Sequence, residues 1–294
     1  MKVAKGKICL DAGHYGKYNQ SPADPNYYES ERMWELHLRK KKYLEAHDFE
    51  VITTREDQKK DLDLKSRGLA AKGCHLFNSD HTNSTEAGTV NEDVDYVAVY
   101  HLYPDTTTDI DEKSKDLAEM LAPKVAKLMG VKQACIVTPK KSSNDRNGDG
   151  IMNDNYLGVL NGARLAGVPG VVPEHSFHTN PKTVAWLMDD NNLDALAKLE
   201  ADIINEWFDK WYGKVAEEEK QQTSYYRVQV GAYTVKKNAE NMEKKLKLFG
   251  YDCFVTKRDQ YYRVQVGAYV LKENANIMAK ELKEKGFSVY VCKS

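Results

Sequence analysis

Residues 7–14 read KICLDAGH, a short apolar run that ends in an acid, a glycine and a histidine. Two later stretches follow the same plan: residues 74–81 read CHLFNSDH, and residues 170–175 read GVVPEH. Runs of this length predict buried strands, and glycine lets the chain turn tightly where the first strand stops. Polar side chains that follow parallel strands collect at one edge of the sheet. We therefore expect a parallel core with His14, His81 and Glu174 at its carboxyl edge.

The first 213 residues alternate strand-like runs with helical patterns. Strands are predicted at residues 7–11, 49–54, 74–79, 95–101, 134–138 and 170–173. Helices are predicted at residues 31–46, 114–129 and 193–212, where apolar residues recur every three or four positions. This alternation predicts an α/β fold with a mixed, largely parallel sheet flanked by helices.

A nine-residue sequence, YYRVQVGAY, occurs at residues 225–233 and again at residues 261–269. The helical pattern behind it repeats as well, since Ala239 and Leu246 match Ala275 and Leu282. Each 36-residue repeat predicts strand, helix and strand, and two such units pair into one small α+β, ferredoxin-like βαββαβ domain. The predicted organisation is an α/β domain at residues 1–213, a linker at 214–223 without an apolar face, and the repeat domain at 224–294.

Strand alternation divides each nine-residue sequence into two faces. The valine face must meet the helices, which leaves tyrosine, arginine and glutamine on the other face. Aromatic rings stack on sugar faces, and arginine and glutamine bond hydroxyl groups, so we interpret this second face as a glycan-binding surface. Its residues are Tyr225, Arg227, Gln229, Tyr261, Arg263 and Gln265. A merely solvated sheet face is the alternative.

The charge of the chain is unevenly distributed. Residues 224–294 carry 14 Lys and Arg against 7 Asp and Glu, a charge of +7, which leaves -8 on the remainder. A basic segment on an acidic body indicates an anionic partner. The basic residues are spread over helices and strands without an RNA-binding signature, so we predict no nucleic-acid partner.

No apolar stretch of 18 residues occurs, so we predict no membrane span. Residues 1–7 lack the apolar core of a signal peptide, and we therefore expect synthesis in the cytoplasm without an export signal.

The histidines and carboxylates named so far match the inventory of a hydrolytic zinc site. Such a site has three protein ligands, an open position for water and a separate base. Glu29 opens a predicted helix, where a carboxylate also interacts favourably with the helix dipole. Glu174 ends a buried strand, and a nearby metal or reacting water would explain a carboxylate in that environment.

The motifs DAGH at 11–14, Glu29, SDHTN at 79–83 and EHSFHTN at 174–180 together resemble those of a known family. Residues 5–212 resemble the zinc-dependent N-acetylmuramoyl-L-alanine amidases of bacterial and phage cell-wall lysis. The resemblance implies Zn²⁺ bound by His14, Glu29 and His81, with Glu174 as the catalytic base.

The repeat at residues 224–294 resembles a SPOR domain, which implies binding to the glycan strands of peptidoglycan. The combination of an amidase-like domain with a SPOR-like domain resembles that of phage endolysins and of mother-cell lysis enzymes. This resemblance implies action on the cell wall after release from the cytoplasm.

The chain departs from the family pattern at three residues beside the expected site. Asn78 and Asp80 stand where the strand before the second histidine is normally apolar, and Pro173 precedes the expected base. We expect Asp80 and His175 to support the metal ligands from behind. Two alternative functions stay open: a catalytically impaired or non-catalytic peptidoglycan-binding protein, and a zinc peptidase that cuts stem-peptide bonds.

Residues 145–154 read DRNGDGIMND and match the start of an EF-hand-like calcium loop. Asp145, Asn147, Asp149 and Asp154 are the candidate Ca²⁺ ligands. The twelfth position is Tyr156 rather than the usual glutamate. A surface loop rich in Asn, Asp and Gly is the alternative.

Overall fold

The computed structural model describes residues 4–59, 61–86, 88–104, 109–131, 135–144, 154–213, 225–269 and 272–293. The chain divides into two compact units, Met1–Trp211 and Tyr212–Ser294. Each unit has its own sheet and its own buried core. The predicted linker at residues 214–223 lies outside the described residues.

A six-stranded sheet forms the centre of the first unit. Its strands are β1 (Lys7–Ala12), β2 (Glu50–Thr53), β3 (Leu76–Asn83), β4 (Ala98–His101), β5 (Ile136–Pro139) and β6 (Gly170–Phe177). They lie in the order β2-β1-β3-β6-β4-β5. Neighbouring strands are parallel except β4 and β6, which pair antiparallel. The predicted α/β fold with a mixed, largely parallel sheet is confirmed.

Helices cover both faces of this sheet. They are α1 (Glu29–Ala46), α2 (Leu64–Leu69), α3 (Asp109–Met129), α4 (Gly158–Leu165), α5 (Pro181–Met188) and α6 (Asp190–Phe208), which continues into a π-helical turn at Asp209–Gly213. Helices α1 and α3 both pack against α6, and α2 packs against α4. The α2–α4 contact is close, since a Cβ atom on Gly68 would lie 2.0 Å from the Val159 carbonyl oxygen. None of the described helices has the length and hydropathy of a membrane span.

Alternate residues of the central strands face opposite helix layers. Phe77 of β3 and Val172 of β6 join one core cluster with Leu160 of α4. Asp80 of β3 instead reaches the side chain of Lys40 in α1. The α2–α4 face of the central strands thus has an apolar core with the buried Asp11–Arg67 pair near its carboxyl edge, and the α1–α6 face contains the buried Lys40–Asp80 pair.

Besides shifts at helix ends, such as the start of α3 at Asp109 rather than residue 114, the described elements differ from the predicted ones in two ways. Strands β3 and β6 each end four residues later than predicted, because their polar side chains find partners inside the protein. Helices α2, α4 and α5 are not predicted at all. They are only six to eight residues long, and such short segments show too few apolar repeats to indicate a helix.

The second unit follows the order strand, helix, strand, strand, helix, strand. Its elements are β7 (Tyr226–Tyr233), α7 (Lys236–Leu248), β8 (Phe254–Arg258), β9 (Tyr261–Tyr269), α8 (Lys272–Glu284) and β10 (Tyr290–Lys293). The strands form an antiparallel sheet in the order β10-β7-β9-β8. The valine face packs on the helices as predicted, with Val228 and Val264 fully buried beside Leu246 and Leu282.

Candidate metal centre

The predicted convergence of His14, Glu29, His81 and Glu174 is present in the first unit. His14 lies two residues after the end of β1, and Glu29 is the first residue of α1. In the register of β3 and β6, His81 lies opposite Glu174. Ligand atoms of His14, Glu29 and His81 all lie within 4.8 Å of one another. Residues from three separate elements therefore meet at the carboxyl edge of the sheet.

The Glu29 carboxylate is the centre of this cluster and is only 1% exposed. Its Oε1 atom lies 3.0 Å from Nδ1 of His81 and accepts a hydrogen bond from the Thr82 backbone N–H. Its Oε2 atom lies 3.4 Å from Nε2 of His14 and accepts a 2.7 Å hydrogen bond from the Asn19 side chain. Asn19, in the loop between β1 and α1, thus holds one oxygen of the candidate ligand Glu29, a contact that the sequence does not indicate.

The ionisation of the cluster follows from these contacts. Burial opposes the charge on Glu29, but hydrogen bonds to His14 and His81 outweigh it and hold the pKa of Glu29 well below its usual range. Burial also lowers the pKa of His81, but the adjacent Glu29 carboxylate outweighs burial and raises this pKa to about 9. Without a metal ion, Glu29 is thus an anion stabilised by its two histidine neighbours.

The turn after β1 is held tightly against β3. The backbone N–H of Gly13 donates a 2.9 Å hydrogen bond to the Asp80 carbonyl. A Cβ atom on Gly13 would lie 2.5 Å from Cε1 of His81, so only glycine allows this approach. His14 itself has φ +58°, a conformation that is rare for a residue with a side chain. Arg67 fixes the turn by donating hydrogen bonds to the carbonyls of Ala12 and His14.

Glu174 lies opposite His81 but is not one of the three clustered ligands. Its Oε2 atom is buried and has no hydrogen-bond partner among the described residues. Burial raises the pKa of Glu174 to about 7. A carboxyl group of this kind can accept and release a proton near neutral pH.

The donor set fits a zinc ion with hydrolytic function. Two imidazoles and one carboxylate are a ligand set found in zinc hydrolases, which keep a further position for water. The partnerless Glu174 oxygen beside this set is a buried polar atom that a water molecule at the metal would satisfy. The geometry thus contains candidate ligands and a separate candidate base.

His178 also faces the cluster, although the sequence alone does not assign it a function. Its Nδ1 atom lies 3.1 Å from the Thr82 hydroxyl and 3.7 Å from Oε2 of Glu29. Burial lowers the pKa of His178, which favours the neutral ring. Its position in the segment EHSFHTN, four residues after Glu174, is the only feature of the sequence that points to it.

The expectation that Asp80 and His175 support the metal ligands from behind stays a prediction, but only His175 contacts a candidate ligand residue directly among the contacts described. The Asp80 carboxylate points to the opposite face of the sheet and binds Lys40 and Asn78. Neighbouring side chains of a strand point to opposite faces of the sheet, and His81, the residue next to Asp80, occupies the metal-facing side. His175 does contact a ligand residue, but through the backbone: its Nδ1 atom lies 2.9 Å from the carbonyl oxygen of His81.

The predicted calcium loop falls largely outside the described residues. Asp145, Asn147 and Asp149 are not described. Asp154 is described and is 2% exposed, and its carbonyl oxygen accepts a hydrogen bond from the Ser142 backbone N–H. Calcium binding at this loop stays a prediction.

The predicted glycan surface of the second unit is only partly open. Five of its residues are partly exposed, namely Tyr225, Arg227, Gln229, Tyr261 and Arg263. Gln265 is 4% exposed, and its amide binds Arg227 and the Gly267 carbonyl. Gln265 therefore orients Arg227 instead of offering its own amide to a ligand, and its predicted contact with glycan is corrected.

Two protein-family models match the chain. One, described as N-acetylmuramoyl-L-alanine amidase, matches residues 8–206. The other, described as SPOR domain, matches residues 194–257 and residues 222–293. The second SPOR match coincides with the four-stranded antiparallel unit. No curated protein sequence matches the chain.

Several solved structures share the fold of the first unit. The catalytic domain of CwlV, an N-acetylmuramoyl-L-alanine amidase from Bacillus (Paenibacillus) polymyxa var. colistinus, is 22% identical, with a TM-score of 0.53 over 69% of this chain and 98% of that chain. An N-acetylmuramoyl-L-alanine amidase from Clostridium difficile 630 is 21% identical, with a TM-score of 0.56 over 71% and 98%. AmiC2 of Nostoc punctiforme is 18% identical, with a TM-score of 0.54 over 70% and 99%.

Proposed function

The chain belongs to the N-acetylmuramoyl-L-alanine amidase family, and from this premise we propose that it cleaves peptidoglycan with a zinc ion bound by His14, Glu29 and His81. The bond cut is the amide between N-acetylmuramic acid and the L-alanine of the stem peptide. The observation that carries the proposal is the convergence of these three side chains within 4.8 Å, with Glu174 opposite His81.

The proposed ligands are held in place by their surroundings, and zinc binding would displace the proton that His81, with a pKa of about 9, carries at neutral pH. Glu29 is an anion at neutral pH, and Asn19 and the Thr82 backbone hold both of its oxygens in place. His14 is held by the turn that Arg67 fixes. When bound, zinc would acidify a water molecule and polarise the amide carbonyl.

Glu174 is the proposed proton carrier. It lies across from His81, and its buried Oε2 atom has no competing hydrogen bond among the described residues. With a pKa of about 7, its carboxylate takes a proton from water and gives it to the departing alanine amine. This return of the proton matters because an amine leaves far more readily as a neutral group than as an anion.

The SPOR domain is the proposed wall-binding part of the molecule. Its sheet presents Tyr225, Tyr261 and Arg263 as partly exposed side chains, which suit sugar rings and hydroxyl groups. The +7 charge of residues 224–294 favours an anionic polymer. Action on cell-wall peptidoglycan thus agrees with both domains, and release during phage or mother-cell lysis stays a prediction.

Mass spectrometry of digested peptidoglycan tests this function. Purified wall incubated with the zinc-loaded protein is expected to release stem peptides that begin with a free L-alanine amine. A different new amine would indicate a peptidase. Binding to the wall without any release would indicate a non-catalytic wall-binding protein.

A further inference from the structure

A second buried cluster lies on the α1–α6 face of the sheet, the face opposite the proposed zinc ligands. Its members Lys40, Asp80, His175 and Glu200 are all 0% exposed. The Lys40 ammonium lies 2.6 Å from Oδ1 of Asp80 and also pairs with Glu200. Glu200 lies 2.9 Å from Nε2 of His175. We call these four residues the buried charge network.

The network does not resemble an empty metal site. Asp80, His175 and Glu200 alone could hold a cation, since their ligand atoms lie within 4.8 Å of one another. The Lys40 ammonium already occupies the position of that cation, because it binds both carboxylates. The carboxylates of the buried charge network are therefore bound by a cation of the protein itself, whereas His14, Glu29 and His81 are the candidate ligands of a metal ion.

Each of three network members is linked along the chain to a residue of the catalytic site. Asp80 precedes His81, and His175 follows Glu174. Lys40 lies eleven residues after Glu29 in α1, which is about three helical turns and places both on one side of the helix. Glu200 of α6 joins Lys40 to His175 and closes the network. The network thus connects the three elements that carry Glu29, His81 and Glu174.

A direct contact also joins the two faces. His175 Nδ1 lies 2.9 Å from the carbonyl oxygen of His81, and its Nε2 lies 2.9 Å from Glu200. Both partners are hydrogen-bond acceptors, so the ring is fixed at both ends. A shift of α6 or α1 would therefore move the His81 backbone through the imidazole of His175.

Stability alone is a poor explanation for this network. Replacing a buried ion pair with well-packed apolar residues is often neutral or stabilising, because the charges lose their hydration. Charged hydrogen bonds do, however, fix the distance and the direction between their partners. Apolar packing would hold α1, β3 and β6 together with less definite spacing.

We propose that Lys40, Asp80, His175 and Glu200 are positioning residues for the zinc site. By fixing α1, β3 and β6 against one another, they keep Glu29, His81 and Glu174 at the distances that metal binding and proton transfer require. This inference rests on the proposed zinc-dependent function.

The test replaces the whole network by apolar side chains of similar size, in the variant K40M/D80L/H175L/E200L. The matched control is R164M/D111L, which removes a buried ion pair between α3 and α4 that contacts none of the site residues. For each protein, thermal unfolding, zinc affinity of the metal-free form by chelator competition, the visible spectrum of the Co²⁺ form, kcat and KM are measured.

The network variant is expected to fold, to bind zinc about tenfold or more weakly, and to show an altered Co²⁺ spectrum. Its kcat is expected to fall while KM for the wall stays within about twofold, because the wall-binding residues are untouched. The control is expected to keep wild-type zinc affinity and Co²⁺ spectrum. A folded network variant with wild-type zinc affinity, spectrum and kcat would overturn the proposal.

The milder variant E200Q covers the case in which the network variant does not fold. It keeps the size of the side chain and removes only the charge that joins Lys40 to His175, and we expect weaker zinc binding with a cooperative unfolding transition. Unchanged zinc affinity in E200Q would overturn the proposal. If the wild type binds no zinc, the proposed function fails together with this inference, whereas normal zinc binding in all variants defeats the inference alone.

Discussion

Glu29 Oε1 lies 3.0 Å from His81 Nδ1, although the two residues come from a helix start and from the middle of the sheet. A carboxylate buried to 1% exposure beside an imidazole is stable only with such partners. Through this contact, the start of α1 and the carboxyl end of β3 together form the proposed zinc site.

Replacing Glu29 by glutamine is expected to remove zinc binding with little change in fold. The amide keeps the size of the side chain but loses the charge that the metal requires. Zinc affinity should fall by more than the roughly 10–100-fold that loss of an outer hydrogen-bond partner costs. Chelator competition on the metal-free protein measures this. The control E31Q removes a carboxylate from the same helical turn and should bind zinc normally; equal losses in the two variants would contradict the assignment.

Replacing Gly13 by alanine is expected to displace His81. The new Cβ would lie 2.5 Å from the imidazole ring, and such overpacking costs about 1–3 kcal/mol. The variant should lose stability in urea unfolding and also zinc affinity. G6A is the control, since its Cβ would meet the Phe208 ring at 2.4 Å, away from the site. G6A should lose stability but keep zinc affinity.

The stability of the catalytic unit is expected to depend on His37 in mildly acidic solution. Burial lowers the pKa of His37 to about 4, although its ring also hydrogen bonds to the Trp34 carbonyl. The unfolded chain takes up this proton near pH 6.5, so it binds more protons than the folded chain between pH 6.5 and 4. Stability should therefore fall as the pH falls through this window, by about 3 kcal/mol from this residue.

Urea unfolding at several pH values measures the contribution of His37. The variant H37Q should show a shallower loss of stability between pH 6.5 and 4 than the wild type. H47Q, which removes a partly exposed histidine at the end of α1, is the matched histidine-to-glutamine control. An H37Q slope equal to that of the wild type would refute the role of this buried ring.

Wall binding by the second unit is expected to depend on Tyr261 and Arg263. Both are partly exposed on the sheet face away from the helices, and among the described residues the Arg263 side chain forms a 3.8 Å ion pair with Asp259. The variant Y261A/R263A should sediment with purified wall about tenfold less well, from the loss of one aromatic contact and one charged hydrogen bond. Hydrolysis of a soluble muropeptide should be unchanged.

The matched control for wall binding is K280A, which removes a positive charge from helix α8 of the same unit. If K280A and Y261A/R263A weaken sedimentation equally, net charge rather than the sheet face explains wall binding.

The fold and the site were predictable to different extents. The β1, β3 and β6 strands each begin with a short apolar run, so the sequence indicates both the sheet and the edge where His14, His81 and Glu174 meet. The helix contacts on the α1–α6 face could not be predicted. Lys40 and Glu200 lie 160 residues apart and look like ordinary charged residues of exposed helices. Only the fold shows that Lys40 neutralises Asp80, the residue that departs from the apolar pattern, and that Glu200 binds the same ammonium group.

The predicted glycan surface shows a second limit of prediction from the sequence. Strand alternation correctly separates the buried valines from the polar residues of the repeat. It treats both copies alike, whereas Gln229 is partly exposed and Gln265 is buried. Both residues lie in central strands, but Gln265 accepts a hydrogen bond from Arg227 of β7 and donates one to the Gly267 carbonyl, which hold its side chain in place. Identical sequences therefore occupy unequal environments.

The most direct test of the central claim is mass spectrometry of purified peptidoglycan digested by the wild type and by E174Q, with the zinc content of both proteins measured in parallel. Glu174 is the proposed base, and removing a general base costs about 10²–10⁴-fold in rate. We predict equal zinc content, release of stem peptides with free L-alanine amines by the wild type, and a rate lower by about that factor for E174Q. Wild-type release by a zinc-loaded E174Q, or wild-type products with any other new amine, would contradict the account.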